Sequence, residues 1–145
     1  MTEPSGAGKR RIVVGVDGSD PSKAALAWAI GQARLTGAAV EAVIAWEFPA
    51  TYGYPVPLPP GFDFHDNAAG VLAGCIAEVS SPAQPVTIVS KVVEGNAAQV
   101  LLDVSAGADL LVVGSRGHGG FVEALLGSVG QHCVHYATCP VVIIR

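Results

Sequence analysis

A glycine-rich segment that follows an apolar strand limits what this chain can fold into. Residues 109–113 read Asp-Leu-Leu-Val-Val and predict a buried strand. Gly114 and Gly117 follow with two residues between them, and nine more residues lead to Gly127 and Ser128, where a helical segment begins. Glycines leave backbone N–H groups uncovered, and a helix N-terminus adds unpaired donors with a partial positive charge. This order of strand, glycine loop and helix is typical of phosphate-binding segments in α/β proteins.

Two basic side chains, Arg116 and His118, lie inside this loop, although the chain carries a formal net charge of −4. The positive charge is therefore local, and it predicts pairing with a phosphate. The alternative interpretation is a mobile loop whose glycines permit close packing and whose exposed charges contribute little.

Strands and helices alternate along the rest of the chain. Apolar, β-branched runs predict strands at 11–16, 40–46, 86–93, 109–113 and 141–144. Helical spacing predicts helices at 21–36, at 67–79, after 96 and at 128–137. This alternation predicts an α/β fold with one doubly wound, five-stranded parallel sheet in the order 3-2-1-4-5 and helices on both faces. At 145 residues the chain has room for one domain, 11–145, preceded by a disordered arm at 1–10.

Ligands of such sheets bind at the carboxyl ends of the strands, where the winding direction reverses. Here that point lies between the first and fourth strands, so the loop at Gly114 should lie beside Asp17-Gly18-Ser19. Asp17 ends the first strand at this point, where its carboxylate can face a ligand. It also favours an Asx turn into the next helix, and both roles are compatible.

Composition excludes several function classes. The acidic balance argues against non-specific nucleic-acid binding, which needs a basic surface. No apolar run approaches the ~18 residues of a membrane span, and the apolar run after Arg11 is too short for a signal peptide. The three cysteines, Cys75, Cys133 and Cys139, are sparse and odd in number, which favours a reducing cytoplasm.

Four side chains of metal-ligating type lie near the C-terminus. They are His132, Cys133, His135 and Cys139. Helical spacing puts the two histidines on neighbouring faces and directs Cys133 to an apolar side with Val129 and Val134. We therefore expect a core cysteine and surface histidines, with no metal held by protein ligands alone.

Two further segments are candidate interaction surfaces. Residues 47–66 contain five prolines and five aromatic residues, so an irregular segment is predicted. It is interpreted either as a lid or partner surface, or as a segment packed near the crevice mouth. Val141–Ile144 is apolar and lies at the predicted sheet edge, where pairing with a second copy would give a homodimer.

With these residues placed, the chain resembles the universal stress protein family from residue 11 to residue 145. The family's ATP-binding pattern is Gly-x-x-Gly, nine residues, then Gly-Ser or Gly-Thr, which Gly114, Gly117, Gly127 and Ser128 satisfy. The supporting elements are Val14-Gly15-Val16-Asp17-Gly18-Ser19, Ala108-Asp109-Leu110-Leu111-Val112-Val113 and Cys139-Pro140-Val141-Val142.

The resemblance implies a cytoplasmic homodimer of adenine nucleotide alpha-hydrolase-like fold that binds ATP, with or without Mg²⁺, as a stress-response module. AMP, ADP and cyclic AMP are alternative ligands. Asp17 would approach the ribose or the metal, and backbone at Gly15, Val16 and Ala45 would contact the base. The residues that would hold the phosphates are Gly114, Ser115, Arg116, Gly117, His118, Gly119, Gly120, Gly127, Ser128 and Val129. Many ATP-binding members carry Ser or Thr where this chain has Gly130, which removes a hydroxyl contact to the terminal phosphate.

Other functions on the same architecture fit the sequence less well. A nucleotidyl-transfer enzyme would carry a Ser-Gly-Gly-x-Asp-Ser loop or a His-x-x-His pair near the first strand, and neither is present. No Walker-type lysine follows the glycine loop, and a phospho-receiver domain would need an aspartate where Glu94 stands. A dimeric scaffold without nucleotide is the remaining alternative. We expect at most slow ATP hydrolysis or autophosphorylation.

Overall fold

The computed structural model describes residues 10–48, 57–83, 85–116 and 127–145. Strands and helices alternate along these residues. Within these ranges the strands β1 to β5 span Arg11–Gly15, Ala39–Trp46, Ile88–Glu94, Leu110–Gly114 and Val141–Ile144. The helices α1 to α4 span Asp20–Thr36, Phe64–Val79, Ala97–Ser105 and Ser128–Tyr136. Of the helices described, none combines the length and the apolar character that a membrane crossing requires.

The five strands form one parallel sheet in the order β3-β2-β1-β4-β5, which confirms the predicted doubly wound topology. β1 and β4 are neighbours although α1 to α3 lie between them in sequence. In the register, Val14 of β1 lies opposite Ala42 of β2 and Val112 of β4. All three side chains are fully buried, as expected for central strands covered by helices on both faces. The winding direction reverses between β1 and β4.

Two apolar clusters, one on each face of the sheet, hold the layers together. α1 and α2 pack against Val14 on one face, and α3 and α4 pack against Val13 on the other. Successive side chains of a strand point to opposite faces, so β1 serves both clusters. Each fully buried valine contributes about 1.5–3 kcal/mol relative to an exposed one. The central strands are therefore a rigid base for the loops at their ends.

The helix starts differ in one respect that bears on the site. Ser19, Asp63 and Asn96 cap α1, α2 and α3 with their side chains. At α1 the Ser19 Oγ accepts the N–H of Ser22 at 3.3 Å. α4 follows Gly127, which has no side chain with which to cap it.

The segment 47–66 departs from its prediction. α2 begins at Phe64, so the expectation of irregular structure was wrong for residues 64–66. The reason is local: the Asp63 carboxylate accepts the N–H of Asp66 at 3.0 Å and starts the helix there. Similarly, β3 begins at Ile88 and not at 86. Residues 1–9 of the predicted arm lie outside the described residues.

Candidate nucleotide-binding crevice

The carboxyl ends of β1 and β4 border a crevice at the point where the winding reverses. β1 leads into α1 on one face of the sheet, and β4 leads towards α4 on the other. Because neighbouring strands lie about 4.8 Å apart, the two connections leave the sheet side by side and then diverge. We call the space between residues 16–19 and the start of α4 the crevice.

Asp17 closes the β1–α1 turn with its own carboxylate. Its Oδ1 accepts the backbone N–H of Ser19 at 2.9 Å and also the Ser19 hydroxyl. Gly18 lies between them with φ 86°, a conformation that favours glycine. The Asp17 N–H donates to Ser22 Oγ at 3.2 Å, which ties the turn to the first turn of α1. The Asx turn that the sequence allowed is therefore present, and the ligand role of Asp17 stays a prediction.

Gly114 brings the two sides of the crevice into contact. A Cβ atom built at this residue would lie 2.7 Å from the Pro21 carbonyl carbon and 2.8 Å from its Cβ. The first glycine of the pattern is therefore required for packing of β4 against the start of α1. This contact fixes the distance between the β1–α1 turn and the end of β4.

Two backbone hydrogen bonds fix Ser115, which follows β4, to the start of α4 and to β5. The Gly127 N–H donates to the Ser115 carbonyl oxygen at 2.5 Å, and the Ser115 N–H donates to the Ile144 carbonyl oxygen at 2.8 Å. Ser115 is buried. The N–H of Gly127 is thus used within the protein, and the next main-chain donors along the chain are those of the first turn of α4.

The first turn of α4 presents main-chain donors without a side-chain cap from Gly127. Gly127 is extended, with φ −69° and ψ 166°, and its carbonyl oxygen accepts the N–H of Gln131 at 2.9 Å. By helix geometry the N–H groups of Ser128, Val129 and Gly130 have no acceptor within the helix. Such a turn attracts an anion through its donors and its dipole.

The ends of β1 and β2 form the side of the crevice where the base was predicted. The N–H of Val16 donates to the Val43 carbonyl oxygen at 2.8 Å, and the Val16 side chain is buried. Val43 lies opposite Gly15, so β2 continues three residues beyond the end of β1. Half-buried Ala45 therefore projects past β1 as a side wall. At Gly15, a Cβ atom would lie 2.7 Å from Leu101 Cδ1, so glycine lets α3 pack closely.

Four of the predicted phosphate-binding residues, Gly117, His118, Gly119 and Gly120, lie outside the described residues, and their role stays a prediction. Arg116 is described and half-buried, directly after Ser115.

The residues of metal-ligating type near the C-terminus do not share one surface. His132 and His135 are exposed on α4, whereas Cys133 is completely buried. Burial raises the pKa of the Cys133 thiol to about 11. Val129 packs partly buried against the same cluster as Cys133. The expectation that Val134 shares this side was wrong: it is 50% exposed, because the next residue of a helix is rotated by about 100°.

α2 flanks the β1–α1 turn. A groove of about 530 Å³ is lined by Gly18 and Lys23 and by α2 residues that include Cys75 and Glu78. Lys23 Nζ lies 3.0 Å from Glu78 Oε2, and this hydrogen bond raises the pKa of Lys23. Burial likewise raises the pKa of the Cys75 thiol. The Lys23 charge is thus paired within the groove.

Sequence reasoning missed an aromatic cluster at the carboxyl end of β2. Its members are Trp46, Phe48, Phe62 and Phe64. The segment that carries them was treated as irregular, so no spacing linked Trp46 to the aromatic residues that follow. The available signal was Asp63, whose capping position would have predicted a helix start that brings Phe64 back to the strand.

Comparisons with known proteins agree with this architecture. The universal stress protein family model matches residues 9–145. Universal stress protein Rv2623 of Mycobacterium tuberculosis is 34% identical over 146 residues, which cover 97% of this chain and 49% of that protein. A universal stress protein of Thermus aquaticus is 33% identical over 142 residues, which cover 94% of this chain and 98% of that protein. The chain thus spans about half the length of the mycobacterial relatives it matches.

A solved structure gives the same result at the level of the fold. The crystal structure of a universal stress protein in complex with cAMP has a TM-score of 0.67 and 27% sequence identity, and it covers 94% of this chain and 96% of that chain. The family match over residues 9–145, the relatives above 30% identity and this common fold confirm the resemblance seen in the sequence. The chain belongs to the universal stress protein family.

Proposed function

We propose that this chain binds an adenine nucleotide in the crevice, with ATP as the preferred ligand. The observation that carries the proposal is the first turn of α4, where the N–H groups of Ser128, Val129 and buried Gly130 have no acceptor within the helix and Gly127 offers no side-chain cap. Each hydrogen bond from such a group to a charged phosphate oxygen contributes about 1.5–3 kcal/mol. A row of several donors favours a ligand with several phosphates.

The two sides of the crevice receive different parts of the nucleotide in this proposal. The phosphates lie against the loop at 114–120 and against Gly127-Ser128-Val129, and the base lies against Gly15, Val16 and Ala45. Asp17 lies between them, near the ribose. A Mg²⁺ ion carried by the phosphates would prefer oxygen ligands, and the Asp17 carboxylate fits that preference. The family member whose structure was solved with cAMP supports the choice of an adenine base.

We infer that the chain acts as a regulatory nucleotide-binding module of the stress response, with no more than slow ATP hydrolysis. Its three cysteines, Cys75, Cys133 and Cys139, are free in the structure, which supports a place in the reducing cytoplasm.

We also propose a homodimer through β5. In the described part of the chain β5 pairs with β4 alone, and Val141–Ile144 is half-buried throughout. The Ile144 carbonyl oxygen accepts from the Ser115 N–H. Since alternate residues of a strand direct their hydrogen-bonding groups to opposite sides, Val141 and Ile143 direct theirs to the free edge. A second copy of the strand would satisfy these groups around a two-fold axis.

The nucleotide proposal is tested by removing one donor from the first turn of α4 without changing the helix. Ser128→Pro does this, because proline is favoured at the first helical position and the ψ of Gly127, 166°, is allowed before proline. Ser128→Ala is the control for the hydroxyl. Ala97→Pro removes the equivalent N–H at the start of α3 and is the matched control away from the crevice.

Isothermal titration calorimetry with ATP, ADP, AMP and cyclic AMP, with and without Mg²⁺, gives the readout. We expect ATP to bind the wild type, Ser128→Pro to bind about 10- to 100-fold more weakly, and Ala97→Pro to bind as the wild type does. Ser128→Ala separates the contribution of the hydroxyl from that of the N–H. Wild-type protein that binds none of the four nucleotides, or a Ser128→Pro variant with undiminished affinity, would overturn the proposal.

A further inference from the structure

The aromatic cluster at the end of β2 is more ordered than a chance contact of apolar rings. Trp46 stacks on Phe64 with ring centroids 6.4 Å apart and planes 3° from parallel. Phe48 stands edge-on to Trp46 at 5.4 Å, and Phe62 stands edge-on to Phe64 at 4.9 Å. Phe48 is 64% exposed and Phe62 is 37% exposed, so two aromatic rings of the cluster face solvent. Exposed aromatic faces stack readily on other flat rings.

The cluster contains a buried polar atom. Trp46 Nε1 is buried and has no hydrogen-bond partner among the described residues. An indole N–H is a donor only, and tryptophan usually finds an acceptor when it is buried. Leaving a donor without water and without an acceptor is unfavourable. The atom is the kind of exception that a ligand explains.

Trp46 is placed to reach a ligand of the crevice. It is the last residue of β2 and stands three residues beyond Val43, the partner of Gly15 at the end of β1. It therefore lies about 10 Å beyond the end of β1, measured along the strand direction. Its side chain packs on the face of the sheet that carries α1, the same face on which the turn at Asp17 leaves β1. The aromatic cluster thus borders the crevice on the side away from α4.

We propose that the indole N–H of Trp46 donates a hydrogen bond to a ring nitrogen of the bound base, and that the base stacks on Phe48. This proposal rests on the proposed nucleotide function and names the residue that recognises the base. A purine offers both features that the cluster lacks: a flat apolar face and a neutral nitrogen acceptor within the ring.

The charges near the cluster set the direction of the ligand. Glu47, Asp63, Asp66 and Glu94 are exposed beside the aromatic residues. These carboxylates repel phosphates and accept from an exocyclic amine such as that of adenine. The first turn of α4 attracts phosphates at the opposite side of the crevice. The nucleotide is therefore held with its base at β2 and its phosphates at α4.

The base reaches Nε1 only after a neighbouring ring moves, since this atom has no solvent-accessible surface. Phe48 and His65 both stand edge-on to Trp46, and both are exposed. Exposed side chains change rotamer within nanoseconds. In this proposal, rotation of one of these rings exposes the N–H to the base.

The test uses the two tryptophans of the chain, Trp28 and Trp46. Trp46→Phe removes the N–H and keeps an aromatic ring, and Trp28→Phe is the matched control in the middle of α1. Binding of ATP is compared with binding of inorganic tripolyphosphate, which has no base. We expect Trp46→Phe to weaken ATP binding about three- to tenfold and to leave tripolyphosphate binding unchanged, while Trp28→Phe changes neither.

Fluorescence gives a second readout that does not depend on the folding of Trp46→Phe. In the Trp28→Phe protein, Trp46 is the sole emitter, and we expect ATP but not tripolyphosphate to change its emission with the calorimetric Kd. If ATP binds yet leaves Trp46 emission unchanged and Trp46→Phe binds as tightly as wild type, the proposal is wrong and the nucleotide function stands. If the wild type binds no nucleotide, the function itself fails, and the proposal with it.

Discussion

Replacing Gly114 by alanine should push the start of α1 away from β4. The added Cβ would lie 2.7 Å from the Pro21 carbonyl carbon, 2.8 Å from its Cβ and 2.9 Å from its carbonyl oxygen. Carbon atoms in favourable contact are about 3.5 Å apart or more, so a displacement of about 0.8 Å is needed. Two of the three atoms belong to the backbone, and no change of rotamer relieves that contact.

The cost follows from overpacking. Extra methyl groups forced into a well-packed interior destabilise proteins by about 1–3 kcal/mol. For a chain of 145 residues, each kcal/mol lowers Tm by about 3–4 °C, so Gly114→Ala should melt about 3–12 °C below the wild type. ATP binding should weaken as well, because the displacement carries the Asp17 turn away from the first turn of α4.

Gly31→Ala is the matched control, and it lies in α1, the helix that Gly114 contacts through Pro21. No heavy atom lies within 4 Å of a Cβ at Gly31. Alanine there should stabilise the helix by about 0.5–1 kcal/mol and raise Tm. Differential scanning calorimetry of both variants gives the comparison. A Gly114→Ala protein that melts at or above the wild-type temperature would refute the argument that this glycine is required by the contact with Pro21.

Four further predictions concern other parts of the chain. Asp17→Asn should keep the Asx turn and the wild-type Tm but weaken ATP binding, whereas Asp17→Ala should lower both the Tm and the affinity for ATP. If calorimetry shows that Asp17→Asn binds ATP as tightly as the wild type, the carboxylate is not part of the site. In native protein at pH 8, iodoacetamide should modify half-buried Cys139 and spare Cys75 and Cys133, as peptide mass spectrometry would show. Burial raises the pKa of Cys133 to about 11, so the folded protein holds the protonated thiol more strongly than the unfolded chain does. This contribution to stability is complete below about pH 8.5 and is lost as the pH rises through 11. Cys133→Ala should therefore flatten the alkaline decline in Tm. Val141→Pro removes an N–H at the free edge of β5 and should give a folded monomer by sedimentation; a variant that remains dimeric would place the interface elsewhere.

The topology was predictable because each step of it is local. Apolar β-branched runs mark the strands, helical spacing marks the helices, and the alternation of the two leaves few arrangements. Glu41 shows the limit of prediction from local sequence patterns. It lies in the middle of β2 and is nearly buried, with Oε1 2.8 Å from Arg11 Nη1 and 3.2 Å from Lys91 Nζ. These partners come from two other strands, so no local pattern predicts that the charge is satisfied.

The candidate site likewise has parts that local patterns predict and parts that they do not. The spacing of Gly114, Gly127 and Ser128 was read from the sequence, and the order of the strands placed them beside Asp17. The contact between Gly114 and Pro21 joins residues far apart in the chain and was not predictable from spacing. Trp46 was assigned to a strand, but the burial of its N–H depends on aromatic residues within the proline-rich segment 47–66, whose packing follows no period.

The binding of phosphates by the main chain is tested by the amide resonances of α4. In ¹H–¹⁵N spectra recorded during a titration with ATP, the N–H groups of Ser128, Val129 and Gly130 should shift in a saturable manner. The N–H groups of Ala97 and Ala98, at the start of α3 behind the Asn96 cap, should remain in place. Saturable binding of ATP that leaves the α4 amides unmoved would contradict the proposed role of this helix.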